Sequence, residues 1–245
     1  MLAVVVICVF AAVNITYMVL NAGRIVEEIA QPTTAVDQQS LVEAPVVLDS
    51  DAFELVGGTV YLYNDHSAHV YVVAELKNVT QEMLSPEFSV VLYNAKGKKI
   101  EEEKYVSSAP GIVPPGESVF IKEWIYDFAK DAHSAVRAEI VCRSEVSRYR
   151  HAERWTDAEA AFEGNAMTVT VKNPGTEPVY GLEMVGVLRD AQGRMIDMFH
   201  DQLSSSMGVS AGGGIVCRRD AAQYLHREDL EGAACEAYVY TNAMR

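Results

Sequence analysis

At 245 residues, 49% hydrophobic and 22% charged, the chain has the composition of a folded protein of one or two domains, which argues against wholesale disorder. Its formal net charge of -14 argues against a nucleic-acid partner, because phosphate binding draws on clustered Lys and Arg. The densest basic group, Arg148, Arg150 and Arg154, is interrupted by Glu153.

Met1 to Leu20 carry no charge. A helix of that length rises to about 30 Å, the thickness of a bilayer's hydrocarbon core. Residues 1–21 are therefore expected to form an uncleaved transmembrane anchor, with residues 1–20 meeting the membrane lipid bilayer and Tyr17 at its interface. A signal peptide would show a basic residue before the apolar run and a small-x-small cleavage site after it. Nothing basic precedes Leu2, and Val19-Leu20-Asn21-Ala22-Gly23 fits such a site poorly. Residues 22–51 turn polar, with Glu27-Glu28, Pro32-Thr33-Thr34 and Gln38-Gln39-Ser40, and read as a stalk holding the rest off the membrane. Arg24, just past the span, weakly favours a cytoplasmic placement of the rest of the chain. The character of the downstream modules outweighs that one charge and favours an extracytoplasmic one.

Beyond the stalk the chain repeats itself. Val72-Val73-Ala74-Glu75-Leu76-Lys77-Asn78 returns as Met167-Thr168-Val169-Thr170-Val171-Lys172-Asn173, and Phe88 to Ile100 returns as Met184 to Ile196. Two modules are expected, at residues 52–146 and 147–245. In the first, Val72, Ala74 and Leu76 alternate with Tyr71, Val73, Glu75 and Lys77, the period of a half-buried strand. Phe88, Val90 and Leu92 continue the pattern, as do Met184, Gly186 and Leu188 in the second copy. Each copy then enters a four-residue turn, Asn94-Ala95-Lys96-Gly97 or Asp190-Ala191-Gln192-Gly193, with an Asx residue first and glycine last. A later turn falls at Pro114-Pro115-Gly116, matched with Gly212-Gly213-Gly214. Strands are expected over Val119 to Ile125, Ile215 to Arg218, Val136 to Cys142 and Ala234 to Tyr240. Segments around Tyr126 to His133 and Ala221 to Glu231 have room for a helical turn. Many short strands without a long amphipathic helix make the chain mainly β, with an antiparallel β-sandwich in each module.

The stretches Phe88 to Asn94 and Met184 to Asp190, the strand ends Leu76-Lys77-Asn78 and Val171-Lys172-Asn173, and Pro114-Pro115-Gly116-Glu117 with Phe120 resemble the FxLYD domain. Asn94 replaces the family's Asp in the first copy; Met184 and Arg189 replace its Phe and Tyr in the second. The resemblance implies two tandem immunoglobulin-like sandwiches on a single-pass protein of the bacterial cell envelope. It brings no catalytic residues.

Direct signatures of chemistry are sparse. Gly-x-Ser-x-Gly, a phosphate loop and His-Glu-x-x-His are all absent from the sequence. His66 and His69 beside Asp65 have a spacing that a metal site can use, but no evident third ligand. Cys217 and Cys235 stand on strands that could pair, leaving a disulfide or two buried thiols as alternatives, while Cys142 is expected in the first core. Asn78-Val79-Thr80 matches a glycosylation sequon, yet its counterpart Asn173-Pro174-Gly175 does not, so Asn78 reads as a turn residue. Tyr61-Leu62-Tyr63 and the final strand with Tyr238 and Tyr240 are candidate contact surfaces. The leading expectation is a non-catalytic interaction or spacer protein with an unknown envelope protein or polymer as partner, and no catalytic, cofactor or metal residues. The alternatives are a metal-dependent or hydrolytic envelope protein using His66 and His69, and a pilin-like surface subunit. A pilin would want an acidic residue early in its apolar helix, and residues 2–20 have none.

Overall fold

The computed structural model describes residues 42–244, apart from 64–68, 127–133, 149, 204–206, 223–224 and 226–229. The anchor expected over 1–21 lies outside the described residues, as do most of the segments assigned a helical turn. Among the described residues no helix is long and apolar enough to cross a membrane. The protein is mainly β, and from Ser40 to Arg245 it forms one compact unit.

The first copy comprises β1 (Val42–Asp49), β2 (Phe53–Tyr63), β3 (His69–Asn78), β4 (Leu84–Asn94), β5 (Lys99–Glu103), β6 (Ser108–Ala109), β7 (Ser118–Tyr126) and β8 (Ala135–Val146). Their order is β5-β4-β8-β1-β2-β3-β7-β6, a sheet that curls because β1 serves both halves. Val42 to Pro45 pair antiparallel with β2, and Val46 to Asp49 pair parallel with β8. Pro45 stands at that change of partner, where a residue without an N–H costs the ladder least. Two expectations are corrected here. The stalk drawn over 22–51 does not reach Asp51, because its last part is a strand of the first module, and the module is not purely antiparallel.

Alternate residues of β3 and β7, among them Val72, Leu76 and Ile121, pack against Phe88, Val90 and Leu92 of β4 and Ile140 of β8 in one core. Leu76, Leu92 and Ile140 are fully buried, each worth about 1.5–3 kcal/mol relative to exposure.

The second copy comprises β9 (Arg150–Arg154), β10 (Ala158–Glu163), β11 (Ala166–Lys172), β12 (Val179–Tyr180), β13 (Leu182–Arg189), β14 (Met195–Gln202), β15 (Gly208–Val209), β16 (Gly214–Asp220) and β17 (Ala234–Met244). They form sheets β10-β11-β16, β12-β15 and β14-β13-β17-β9. One difference from the first copy is that β9 runs antiparallel to β17, whereas β1 runs parallel to β8.

The repeat holds down to individual hydrogen bonds. Asn94 Oδ1 accepts from the N–H of Lys96 and of Lys98, and Asp190 Oδ1 accepts from Gln192 and Arg194. Gly97 and Gly193 close these turns with φ of 71° and 81°, a region that glycine enters without a Cβ penalty. Asn78, fully buried, donates from Nδ2 to the carbonyls of Glu82, Val113 and Pro114, and Asn173 does the same to Glu177 and Val209. Asn78 is thus the turn residue expected, with its amide inside the protein. In the late turn, Gly116 N–H donates to Asn78 O and Gly212 N–H to Asn173 O. Pro114-Pro115-Gly116 therefore matches Ser210-Ala211-Gly212, two residues earlier than the sequence match placed it.

Candidate functional site

The face of β3 read as its solvent side is covered. Tyr61 of β2, Val73 of β3, and Phe120 of β7 are buried and belong to the same cluster as Met184, Val185, Val187 and Met198 of the second copy. The Phe120 ring lies tilted against Tyr238 of β17, centroids 4.5 Å apart. Strand β13 is consequently buried on both faces, so its unbroken Leu182-Glu183-Met184-Val185-Gly186-Val187-Leu188 run does not alternate.

Charged side chains lace this seam. Glu75 of β3, 6% exposed, accepts from Ser118 Oγ at 2.8 Å and from Arg189 Nη2 at 2.8 Å. Arg189 Nε also donates to Glu236 Oε2 at 2.7 Å, where the Tyr238 hydroxyl donates at 2.9 Å. Burial disfavours the Arg189 cation, but Glu236 and Glu75 more than compensate and raise its pKa. Lys122 Nζ of β7 reaches the fully buried Asp197 at 2.5 Å, and Asp197 also accepts from the N–H of Met198 and of Ala222, both at 2.7 Å. Glu117 accepts from the Tyr240 hydroxyl at 2.8 Å and Arg154 Nη1 at 3.2 Å, while the Arg154 guanidinium lies 4.3 Å from the Tyr238 ring centroid.

Glu183 of β13 closes the row. Its carboxylate accepts from Gly111 N–H at 2.9 Å and Asn242 Nδ2 at 2.8 Å, with His200 Nε2 at 3.0 Å. Burial pushes this carboxyl up, but the bonds from His200, Asn242 and Gly111 outweigh it and hold its pKa below the ordinary value. Every carboxylate buried along this seam thus has cationic or N–H donors fixed on it. That arrangement fixes the two copies together.

The contact residues expected from sequence are mostly covered. Tyr61 is buried in the seam, and Tyr240 is buried beside Ile112 and Ala152, so neither offers the free contact surface expected of it. Tyr238 is half-buried between Phe120 and Arg154. The side chains of Leu62 and Tyr63 lie outside what is described. His66 lies outside the described residues too, and His69 opens β3. Among the described residues no group of three His, Cys, Asp or Glu is placed to hold a metal ion. Cys217 and Cys235 are free thiols in different sheets, on β16 and β17, so the pairing considered for their strands does not occur. Burial pushes the Cys142 and Cys235 thiols up to about 11, which leaves them almost wholly protonated and slow as nucleophiles.

Arg189, Glu75, Lys122 and Asp197 had no motif to announce them. For two of them the signal was position: Lys122 stands between Phe120 and Trp124 at period two, and Asp197 between Met195 and Phe199.

No family model matches the chain, and no characterised protein matches it in sequence. Among solved structures it is similar to red sea bream transglutaminase, at 9% identity and a TM-score of 0.21, over 71% of this chain and 27% of that one. The chain spans about a quarter of the length of that structure, and a likeness this slight carries no argument about fold or chemistry.

Proposed function

We propose that the chain is a non-catalytic, membrane-anchored extracytoplasmic protein that holds two immunoglobulin-like, FxLYD-type sandwiches as one rigid body, serving as a spacer or as a platform for an envelope protein or polymer. The observation that carries this reading is the seam. Apolar contact through Tyr61, Val73 and Phe120 is combined there with buried ion pairs Arg189–Glu75 and Lys122–Asp197. An interdomain contact of ordinary polarity permits relative motion; buried pairs that must stay matched penalise it by several kcal/mol. A stiff, non-hinged body on a membrane tether suits setting distance or presenting a surface, whereas lids and clefts depend on movement. The uncharged residues 1–20 supply the tether in this reading.

Protease added to intact cells tests it. The modules of the full-length chain are expected to be clipped from outside without permeabilising the membrane, and deletion of residues 1–20 is expected to release them from the membrane fraction. Complete protection of the modules in intact cells, or membrane retention after the deletion, contradicts the proposal.

A further inference from the structure

The face of β13, β14 and β17 that makes the seam has a counterpart in the first copy, and there it is open. Glu183 and Val185 pair across the ladder with Tyr240 and Tyr238; the matching residues Glu87 and Ser89 of β4 pair with Arg143 and Val141 of β8. The contact face of the module is thus used once, in the second copy. In the first it has been relined with polar side chains around a depression of about 310 Å³, bordered by Glu87, Ser89, Glu102, Lys104, Tyr105 and Arg143. That volume falls in the range of small-ligand sites, about 300–1,000 Å³.

Two observations set this depression apart from a merely solvated face. Tyr105 is 88% exposed, the most exposed large hydrophobic side chain among the described residues. Among the described residues, Glu87, Ser89, Lys104, Tyr105 and Arg143 also form no side-chain hydrogen bond or ion pair. The seam, by contrast, uses its charges fully. The depression therefore brings together an uncovered ring, unused donors on Lys104 and Arg143, and unused acceptor capacity on Glu87.

We propose that this depression binds a neutral saccharide, with one sugar ring stacked on Tyr105 and its hydroxyls bridging the carboxylate of Glu87 and the cations of Lys104 and Arg143. Carboxylates and cations come close to balance around the depression, and Glu102 is already paired with Lys99, so no single sign of charge dominates to select a phosphate or an amine. A hydroxyl group both donates and accepts, so adjacent hydroxyls satisfy a carboxylate and a guanidinium at once. The aromatic face complements the C–H face of a sugar ring in the way aromatic sites hold apolar surface beside polar groups. The inference goes beyond the proposed function and does not depend on membrane anchorage.

Calorimetric titration of the full-length chain, kept in a detergent without sugar headgroups, tests it with two neutral probes: cellotetraose and fully N-acetylated chitotetraose. Saturable binding of at least one is expected, weakened about tenfold by Tyr105→Ala and also weakened by Arg143→Ala. Both substitutions are at exposed positions, so melting temperatures unchanged from wild type show that the fold survives. Tyr180→Ala, at a tyrosine 51% exposed on the second copy, is expected to bind as wild type does. Absence of saturable binding for both probes overturns the proposal. So does binding indifferent to Tyr105→Ala, tighter binding of glycine as a zwitterionic probe, or a dimer that Tyr105→Ala dissolves.

Discussion

Replacing Arg189 by methionine removes the cation that ties the two copies together while keeping a side chain of similar length. In the intact protein its guanidinium donates to Glu75 at 2.8 Å, to Glu236 at 2.7 Å and to the Tyr238 hydroxyl at 3.3 Å. Glu75 is 6% exposed and would keep only the Ser118 hydroxyl as a side-chain donor. Breaking a buried pair from one side costs about 3–5 kcal/mol. The surviving Ser118 bond places the expected loss at the low end, about 3 kcal/mol. For a folded unit of this size each kcal/mol moves Tm by about 2–4 °C, so the variant should melt about 6–12 °C below wild type. Adding Glu75→Leu removes the stranded carboxylate, and the double variant should recover at least about 1.5 kcal/mol relative to the sum of the single losses. Thermal melts of the full-length chain followed by circular dichroism provide the measurement. An Arg189→Met protein melting within about 2 °C of wild type, or strictly additive losses in the double variant, would refute the claim that this pair locks the seam.

Asn78→Ala strands three carbonyls that its amide serves, and urea titration should show a loss of about 2–3 kcal/mol. Asn94→Ala, in an exposed turn, should cost clearly less; equal losses would contradict the anchoring role given to Asn78. Gly186→Ala places a Cβ 2.2 Å from the Phe199 ring and should cost about 1–3 kcal/mol, with Phe199→Leu restoring part of it; a neutral Gly186→Ala would show that the ring has room. The pKa of Glu183 is depressed in the folded state, so its contribution is present above the ordinary carboxylate value of about 4.3 and is lost as pH falls through the folded value. The stability gap between wild type and Glu183→Gln should therefore be wide at neutral pH and close in acid, and a gap independent of pH would remove Glu183 from the seam's electrostatics.

The parts of the fold that were legible in the sequence are those whose causes are local. An Asx residue followed three positions later by glycine carries its own hydrogen-bonding instructions, so Asn94 and Asp190 announced both hairpins, and Asn78 and Asn173 marked both strand ends. The strand at Val42–Asp49 was missed because its neighbours in space, β2 and β8, include residues almost 100 positions away, and Pro45 disguised it as linker. The seam was missed for a related reason. Period-two alternation reports which residues share a face, and it does not report what covers that face. Tyr71, Val73 and Glu75 mix aromatic, aliphatic and acidic side chains, a composition that serves a solvated sheet as well as one clamped beneath a second module.

Comparison of the two copies recovers what either copy alone conceals. At equivalent backbone positions the same local hydrogen bonds demand the same side chains, and there the copies agree: Asn78 with Asn173, Gly97 with Gly193. Positions of equal geometry but unequal chemistry must differ in their surroundings, since the backbone no longer distinguishes them. Ser89 and Arg143 of the first copy become Val185 and Tyr240 in the second, and Tyr93 becomes Arg189. Those changes trace the face that passes from water into the seam, and they run together along neighbouring strands β13 and β17. Arg189 is also the residue that reaches Glu75 across the seam. A change of this kind is what a new contact requires, because burying a face built for solvent would strand its polar groups, and exposing one built for a seam would leave apolar surface in water.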